Sequence, residues 1–172
     1  MSKAKILQPD LALGDIITHL TPELIKKHNL KGLILDVDET LVPWREKKLS
    51  PEMIQWANEI RQHTDLYLVS NNISESRIRR IAEEIDVPFL FGAGKPSRRK
   101  LRIAVEAMQL PLSEVAMVGD RLFTDVLAGN RLGLFTILVE PVIVPGEEKP
   151  FSIRNFEVWL SQKMGVIVYN NS

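Results

Sequence analysis

The 172 residues carry 22 lysines and arginines against 22 aspartates and glutamates, so no net field points to nucleic acid or an anionic surface. Cysteine does not occur, which excludes disulfides, thiolate metal sites and a cysteine nucleophile. The opening MSKAKILQPD lacks the apolar run of a signal peptide, and no stretch is long enough to span a bilayer, so a cytoplasmic single domain over 1–172 is expected.

In chain order, TPELIKKHNL reads as a short lead-in helix capped by Thr21. KGLILDVD (31–38) is a continuous apolar run, the pattern of a strand covered on both faces. SPEMIQWANEIRQH follows, with Ser50 as N-cap, Pro51 at the first helical position, and Met53, Ile54, Ala57 and Ile60 at helical spacing. DLYLVS is a second strand, SESRIRRIAEEI a helix, and VPFLF a third strand. KPSRRKLRIAVEAMQL is expected to be helical from its proline onward. EVAMVG is a fourth strand, LFTDVLAGNRLG a helix ending near Gly133, and LFTILVE a fifth strand. A loop, PVIVPGEEKP, leads to a terminal helix in FSIRNFEVWLSQKM. Strands alternating with helices imply right-handed crossovers and an α/β fold: a doubly wound, mostly parallel, five-stranded Rossmann-like sheet with helices on both faces.

In such sheets ligands bind beyond the carboxyl ends of the strands. The first strand ends in Asp36, Asp38 and Thr40; the second in Ser70, Asn71 and Asn72. Gly94, Lys95 and Pro96 follow the third, and Gly119 and Asp120 end the fourth, with Asp125 in the next turn. Carboxylates, a hydroxyl, amides and one lysine thus converge where the apolar runs stop. That set suits a phosphoryl group and a hard divalent cation, magnesium above all, which takes oxygen ligands. Asp36 and Asp120 offer carboxylates from different strands, and Lys95 and Ser70 can balance and cradle phosphate oxygens. Residues 36 and 38 share a face of an extended segment, so one carboxylate can attack while the other moves a proton.

DVDET, LVSNN, Lys95 and GDRLFTD, in this order, resemble the four motifs of the haloacid dehalogenase-like (HAD) phosphatases over roughly residues 30–140. The resemblance implies Asp36 as nucleophile, Asp38 as the acid and base, and a Mg2+ held by the Asp36 carboxylate, the Asp38 backbone carbonyl and the Asp120 carboxylate. It implies a supporting role for Asp125 toward water ligands or Lys95. Only one helix separates Asp36 from Ser70, and one helix and one strand separate Asn71 from Lys95, which leaves no room for a cap domain. KGLILDVDETLVPW, VSNN and GDRLFTDVLAGNRLGLFTILVEPV are similar to the capless IIIA-type branch that includes phosphatidylglycerophosphate phosphatases. That branch implies a phospholipid headgroup as substrate, although it commonly carries asparagine where Glu39 stands. A soluble or macromolecular phosphoester is the alternative. A phospho-accepting signalling domain is a poorer match, since the third strand ends without an aspartate; a non-catalytic adaptor is disfavoured by the intact Asp36, Asp38, Lys95 and Asp120.

Simpler readings stand beside these. The simpler reading of Lys95 is an ordinary helix N-terminal residue, although a lysine there opposes the helix dipole, which argues for an anion; Ser70 could simply end a strand, and Asn71 and Asn72 could be turn residues. Ile153, Phe156, Leu160 and Met164 form a stripe, with Trp159 nearby, expected to dock on the sheet rather than on a membrane. The five basic residues between 95 and 102 are either a solvated face or a patch for an anionic membrane. Trp44 either lines the substrate mouth or packs with Trp56, and His19, His28 and His63 are expected at the surface.

Overall fold

Leu33, Ile34 and Leu35 are all fully buried because their strand, β2 (Gly32–Leu35), lies at the centre of a parallel sheet with both faces covered. The computed structural model describes residues 3–147 and 152–168. The sheet contains six strands in the order β1-β6-β5-β2-β3-β4, every pairing parallel. β3 (Asp65–Val69) and β4 (Phe89–Leu90) extend it on one side of β2, and β5 (Val115–Gly119) and β6 (Phe135–Leu138) on the other. The order therefore reverses beside β2, and the crevice between the ends of β2 and β5 is where a ligand is expected. The sixth strand corrects the five-stranded expectation. β1 (Leu11–Ala12) is two residues long, too short to show a period, and pairs with β6 through Leu11 and Ala12.

Side-chain alternation sorts the core into two layers. Leu33, Leu35, Leu66, Leu68 and Val118 face one side, against α2 (Pro22–Lys27), α3 (Pro51–Ile60) and α4 (Glu75–Glu84). Ile34, Tyr67, Val69 and Met117 face the other, against α5 (Arg99–Met108) and α6 (Leu127–Leu132). Caps set the helix starts: the Thr21 hydroxyl accepts from Leu24 N–H, Ser50 from Met53 N–H, and Ser74 from Arg77 N–H. Trp56 is buried in α3, and its indole donates to Leu20 O at 2.9 Å, whereas Trp44 stays 63% exposed. His19 and His63 are exposed, and His28 is half-buried with its ring 4.8 Å from that of Phe135.

Two elements depart from the sequence reading. α5 begins at Arg99, not at the proline, because Lys95 is drawn inward and the chain must return from the site before a helix starts. The LFTDVLAGNRLG segment opens with a π-helical turn, Leu122–Val126, before α6. That wider turn aims Asp125 back at the end of β5. Close packing there is fixed by Gly119, where a Cβ would lie 2.1 Å from Asp125 Oδ2, so no other residue fits without moving that carboxylate.

The terminal helix, α7 (Ile153–Lys163), forms as expected with Ser152 as cap, but it is turned the other way round. Arg154, Glu157 and Ser161 are buried, while Ile153, Phe156, Trp159 and Met164 are exposed. The physical reason lies in what it covers. The loop end of the sheet offers the carbonyls of Asp120 and Val139, the Glu140 carboxylate and the Arg121 guanidinium, and these need polar partners. Arg154 supplies them at 3.0, 3.4 and 3.1 Å, and Glu157 pairs with Arg121 at 3.0 and 2.5 Å. The far end of the expected loop, 148–150, and Phe151 of the expected helix lie outside the described residues. Among the described residues no helix is long and apolar enough to cross a membrane. A short helix, α1 (Lys3–Leu7), packs Leu7 with Leu122, Val126, Val166 and Val168, so both ends of the described chain meet on the π-helical turn.

Candidate active site

The strand ends bring Asp36, Asp120 and Asp125 together, all buried, with one carboxylate oxygen of each within 4.8 Å of the others. Lys95 enters from the loop after β4, fully buried, and its Nζ lies 2.9 Å from Asp36 Oδ1, 2.7 Å from Asp125 Oδ1 and 2.9 Å from Val69 O. Thr40 sits between two of the carboxylates, its hydroxyl 3.2 Å from Asp36 Oδ2 and 3.3 Å from Asp120 Oδ1. Asn71 holds the lysine from behind: its Oδ1 accepts from Lys95 N–H at 2.7 Å and its Nδ2 donates to Lys95 O at 3.1 Å. Lys95 is therefore neither a helix residue nor a surface cation. It is the one lysine of the basic run that reaches the site, while Arg98, Arg99 and Arg102 are exposed and Lys100 lies over the Phe91 ring.

Asp38 points elsewhere. Its Oδ1 is forked by Arg77, from Nε at 3.1 Å and from the terminal nitrogen at 2.7 Å, and its Oδ2 accepts from Asn72 Nδ2 at 2.9 Å. Its side chain thus lies outside the three-aspartate cluster, whose third member is Asp125. Ser70 is buried and its hydroxyl accepts from Asn72 N–H at 3.0 Å, which shapes the loop after β3. A small cavity of about 80 Å³ opens over the cluster, lined by Asp36, Asp38, Glu39, Asn71, Lys95, Asp120, Arg121, Thr124 and Asp125. The sequence reading missed Arg77, Arg121 and Thr124. Arg121 and Thr124 lie inside the GDRLFTD motif, at positions its fixed residues do not specify.

The charges of the cluster are out of balance. Burial, then the Asp36 and Asp125 charges, with Glu39 adding to them, push the Asp120 carboxyl well above the usual carboxylate range. Burial, then the Asp36 charge, push Asp125 up to about 7, although Lys95 pulls against this. Burial alone would lower Lys95, but Asp125 and Asp36 more than offset it and hold its pKa above the ordinary lysine value. Three buried carboxylates with one ammonium leave excess negative charge, and Asp120 Oδ2 has no hydrogen-bond partner among the described residues. An all-oxygen donor set with an orphaned buried carboxylate oxygen fits a hard divalent cation.

Glu39 has φ of +62°, the left-handed region that costs most side chains about 1–2 kcal/mol. Its N–H donates to Val42 O at 2.8 Å, and its carbonyl accepts from Val142 N–H at 2.7 Å. Asparagine, common here in the branch that the motifs resemble, tolerates this backbone conformation better.

Comparison with known proteins agrees with this arrangement. A HAD-hydrolase-like family model matches residues 92–141. The chain is 39% identical over 138 residues to the "Probable phosphatase YqeG" of Bacillus subtilis, covering 80% of each chain. It is 28% identical to a chloroplastic/mitochondrial phosphatidylglycerophosphate phosphatase 1 of Arabidopsis thaliana and 28% identical to a chloroplastic one of Chlamydomonas reinhardtii. Those matches take in 85% and 90% of this chain, but only 44% and 61% of the relatives' lengths. Among solved structures, 3-deoxy-D-manno-octulosonate 8-phosphate phosphatase from Moraxella catarrhalis, in complex with magnesium, phosphate and the sugar, shares the fold. Its TM-score is 0.52 at 16% identity, over 84% of this chain and 92% of that one. The chain belongs to the HAD phosphatases of the capless type, and is a phosphoric monoester hydrolase that uses a divalent metal.

Proposed function

We propose that the chain is a magnesium-dependent phosphomonoesterase in which Asp36 is the nucleophile and the substrate is a phospholipid headgroup, phosphatidylglycerophosphate in particular. The observation that carries the chemistry is the Asp36 carboxylate, held by Lys95 at 2.9 Å and Thr40 at 3.2 Å at the end of β2. An Asp36 oxygen attacks phosphorus while the bond to the ester oxygen breaks, leaving an aspartyl phosphate and an alcohol. Asp38 gives the leaving oxygen its proton, then takes one from the water that hydrolyses the acyl phosphate, so Asp36 is restored. Lys95 offsets charge on the transferred group, Asn71 fixes Lys95, and Ser70 and Asn72 shape the loop that faces it. Asp36, Asp120 and the Asp38 carbonyl would hold Mg2+, with Asp125 behind them, and the ion would supply further charge neutralisation at the phosphoryl oxygens.

The lipid substrate is supported by the two relatives named as phosphatidylglycerophosphate phosphatases and by the open mouth of a capless site. It is further supported by the outward apolar residues of α7, Ile153, Phe156 and Trp159, a face able to meet a bilayer peripherally. Phosphate release from phosphatidylglycerophosphate in mixed micelles, compared with glycerol 3-phosphate and nucleoside monophosphates, tests the reading. The lipid should be preferred by at least tenfold in kcat/KM, turnover should need Mg2+, and Asp36→Asn should abolish it with the fold intact. Preference for a soluble ester would overturn the lipid assignment, and undiminished turnover by Asp36→Asn would overturn the mechanism.

A further inference from the structure

Beside the catalytic cavity lies a larger groove of about 380 Å³ between the loops 39–45 and 140–147, closed at one end by Ser152 and Asn155 at the start of α7. Its apolar walls are Pro43, Trp44, Pro141, Val142, Ile143 and Val144. The two walls are tied to each other through the backbone, Val142 N–H donating to Glu39 O at 2.7 Å. Glu39 lines both the groove and the catalytic cavity, so the two spaces adjoin at this residue. We propose that this groove is the subsite for the leaving group of an amphipathic phosphoester, hydroxylated next to the ester oxygen and apolar beyond it.

The catalytic cavity, at about 80 Å³, has room for a phosphoryl group and little more. The rest of any substrate must leave it, and the groove that shares Glu39 is a continuation of adequate size. Trp44 and Ile143 are 63% and 45% exposed, apolar area left in water at the rim. The charges also select. Arg154 is engaged with Asp120 O, Val139 O and Glu140, and Arg45 lies 3.8 Å from Glu147, so the groove does not present a bare cationic pocket. Glu39, which lines both spaces, offers a carboxylate that can accept a hydrogen bond from a hydroxyl at the junction. A glycerol-type unit at the junction with apolar groups farther along fits this lining.

This rests on the phosphatase reading but not on phosphatidylglycerophosphate being the substrate. Straight-chain alkylphosphonates from methyl to hexyl, titrated into the Mg2+-loaded full chain by calorimetry, separate the two. The phosphonate stands in for the phosphoryl group, and the alkyl chain probes the groove without any turnover. Kd should fall about fourfold per methylene over the first carbons, the factor for burying one CH₂. In a Trp44→Ser/Ile143→Ser double variant, whose changes lie at the exposed rim, that slope should flatten. A Kd independent of chain length in the native chain, or an equal slope in the variant, would overturn the subsite. Chain-length dependence without hydrolysis of phosphatidylglycerophosphate would leave the groove in place and remove only the lipid assignment.

Discussion

Arg77 determines which way the Asp38 carboxylate faces. The same guanidinium that forks onto Asp38 Oδ1 also donates to Glu46 O, and to Pro43 O at 3.5 Å, so it joins the proposed acid to the loop carrying Trp44. Both partners are mostly buried, at 16% and 13% side-chain exposure, which keeps the pair from being screened away by solvent. Arg77→Gln is expected to lower kcat for an alkyl phosphomonoester about 10- to 100-fold, a partial loss of the roughly 10²–10⁴-fold that acid catalysis supplies, and to change p-nitrophenyl phosphate turnover far less. Arg77→Lys should not restore it, since an ammonium cannot reproduce the fork. A steeper dependence of kcat on leaving-group basicity checks this; an equal loss on both esters would reduce Arg77 to a structural part. The aspartates and Lys95 were legible because each stands where an apolar run stops. Arg77 was not, because SESRIRRIAEE offers three arginines on one helix and only the fold distinguishes the one over Asp38.

At the scale of elements, apolar periodicity found every long helix and the strands β2 to β6. It could not find β1, which has two residues, or the π-helical turn, which looks like helix in any pattern. It also misjudged the rotation of α7. A pattern rule turns the apolar stripe inward, yet here the surface to be covered is a set of bare carbonyls and charges, and solvating them outweighs burying Phe156 and Trp159. Arg154 is the hinge of that choice. Arg154→Leu is expected to cost about 2–3 kcal/mol, because buried carbonyl acceptors of Asp120 and Val139 lose their donor. The midpoint of urea unfolding should fall accordingly, and turnover should fall with it as the end of β5 loosens. A variant of unchanged midpoint would mean that the other contacts of α7, Glu157 with Arg121 and Val158 against the Leu122 cluster, hold it without Arg154.

For the molecule as a whole, the acidic cluster sets stability against pH and metal. Asp125 is held up to about 7 against an ordinary 3.8, and Asp120 is raised as well, so the native metal-free chain binds protons that the unfolded chain releases. An acid with its folded pKa above its unfolded one stabilises the fold at low pH, and that contribution is lost as pH rises from about 4 to about 7. Lys95 works the other way: its raised pKa keeps it fully charged through this range, and its stabilisation fades only above the ordinary lysine value. Metal-free protein should therefore melt lower at pH 7.5 than at pH 5. Mg2+ at roughly 100 times its Kd should add about 2.7 kcal/mol, some 5–10 °C in Tm, at the higher pH. Calorimetry with and without Mg2+ measures both, and an equal Mg2+ shift in Asp120→Asn would locate the ion away from the cluster.

The two outer strands, β1 and β4, are each two residues long, and β1 has an effect on how the chain behaves among its copies. It is clamped in place: Asp10 accepts from Thr136 N–H at 2.8 Å, and Asn130 donates to Ile6 O and Gln8 O at 2.8 and 2.9 Å. Beneath it lies β6, whose free N–H and C=O groups would otherwise form a ready template for a strand from another chain. This N-terminal segment thus covers the edge of β6 and leaves only the two residues of β1 as the edge of the sheet on that side.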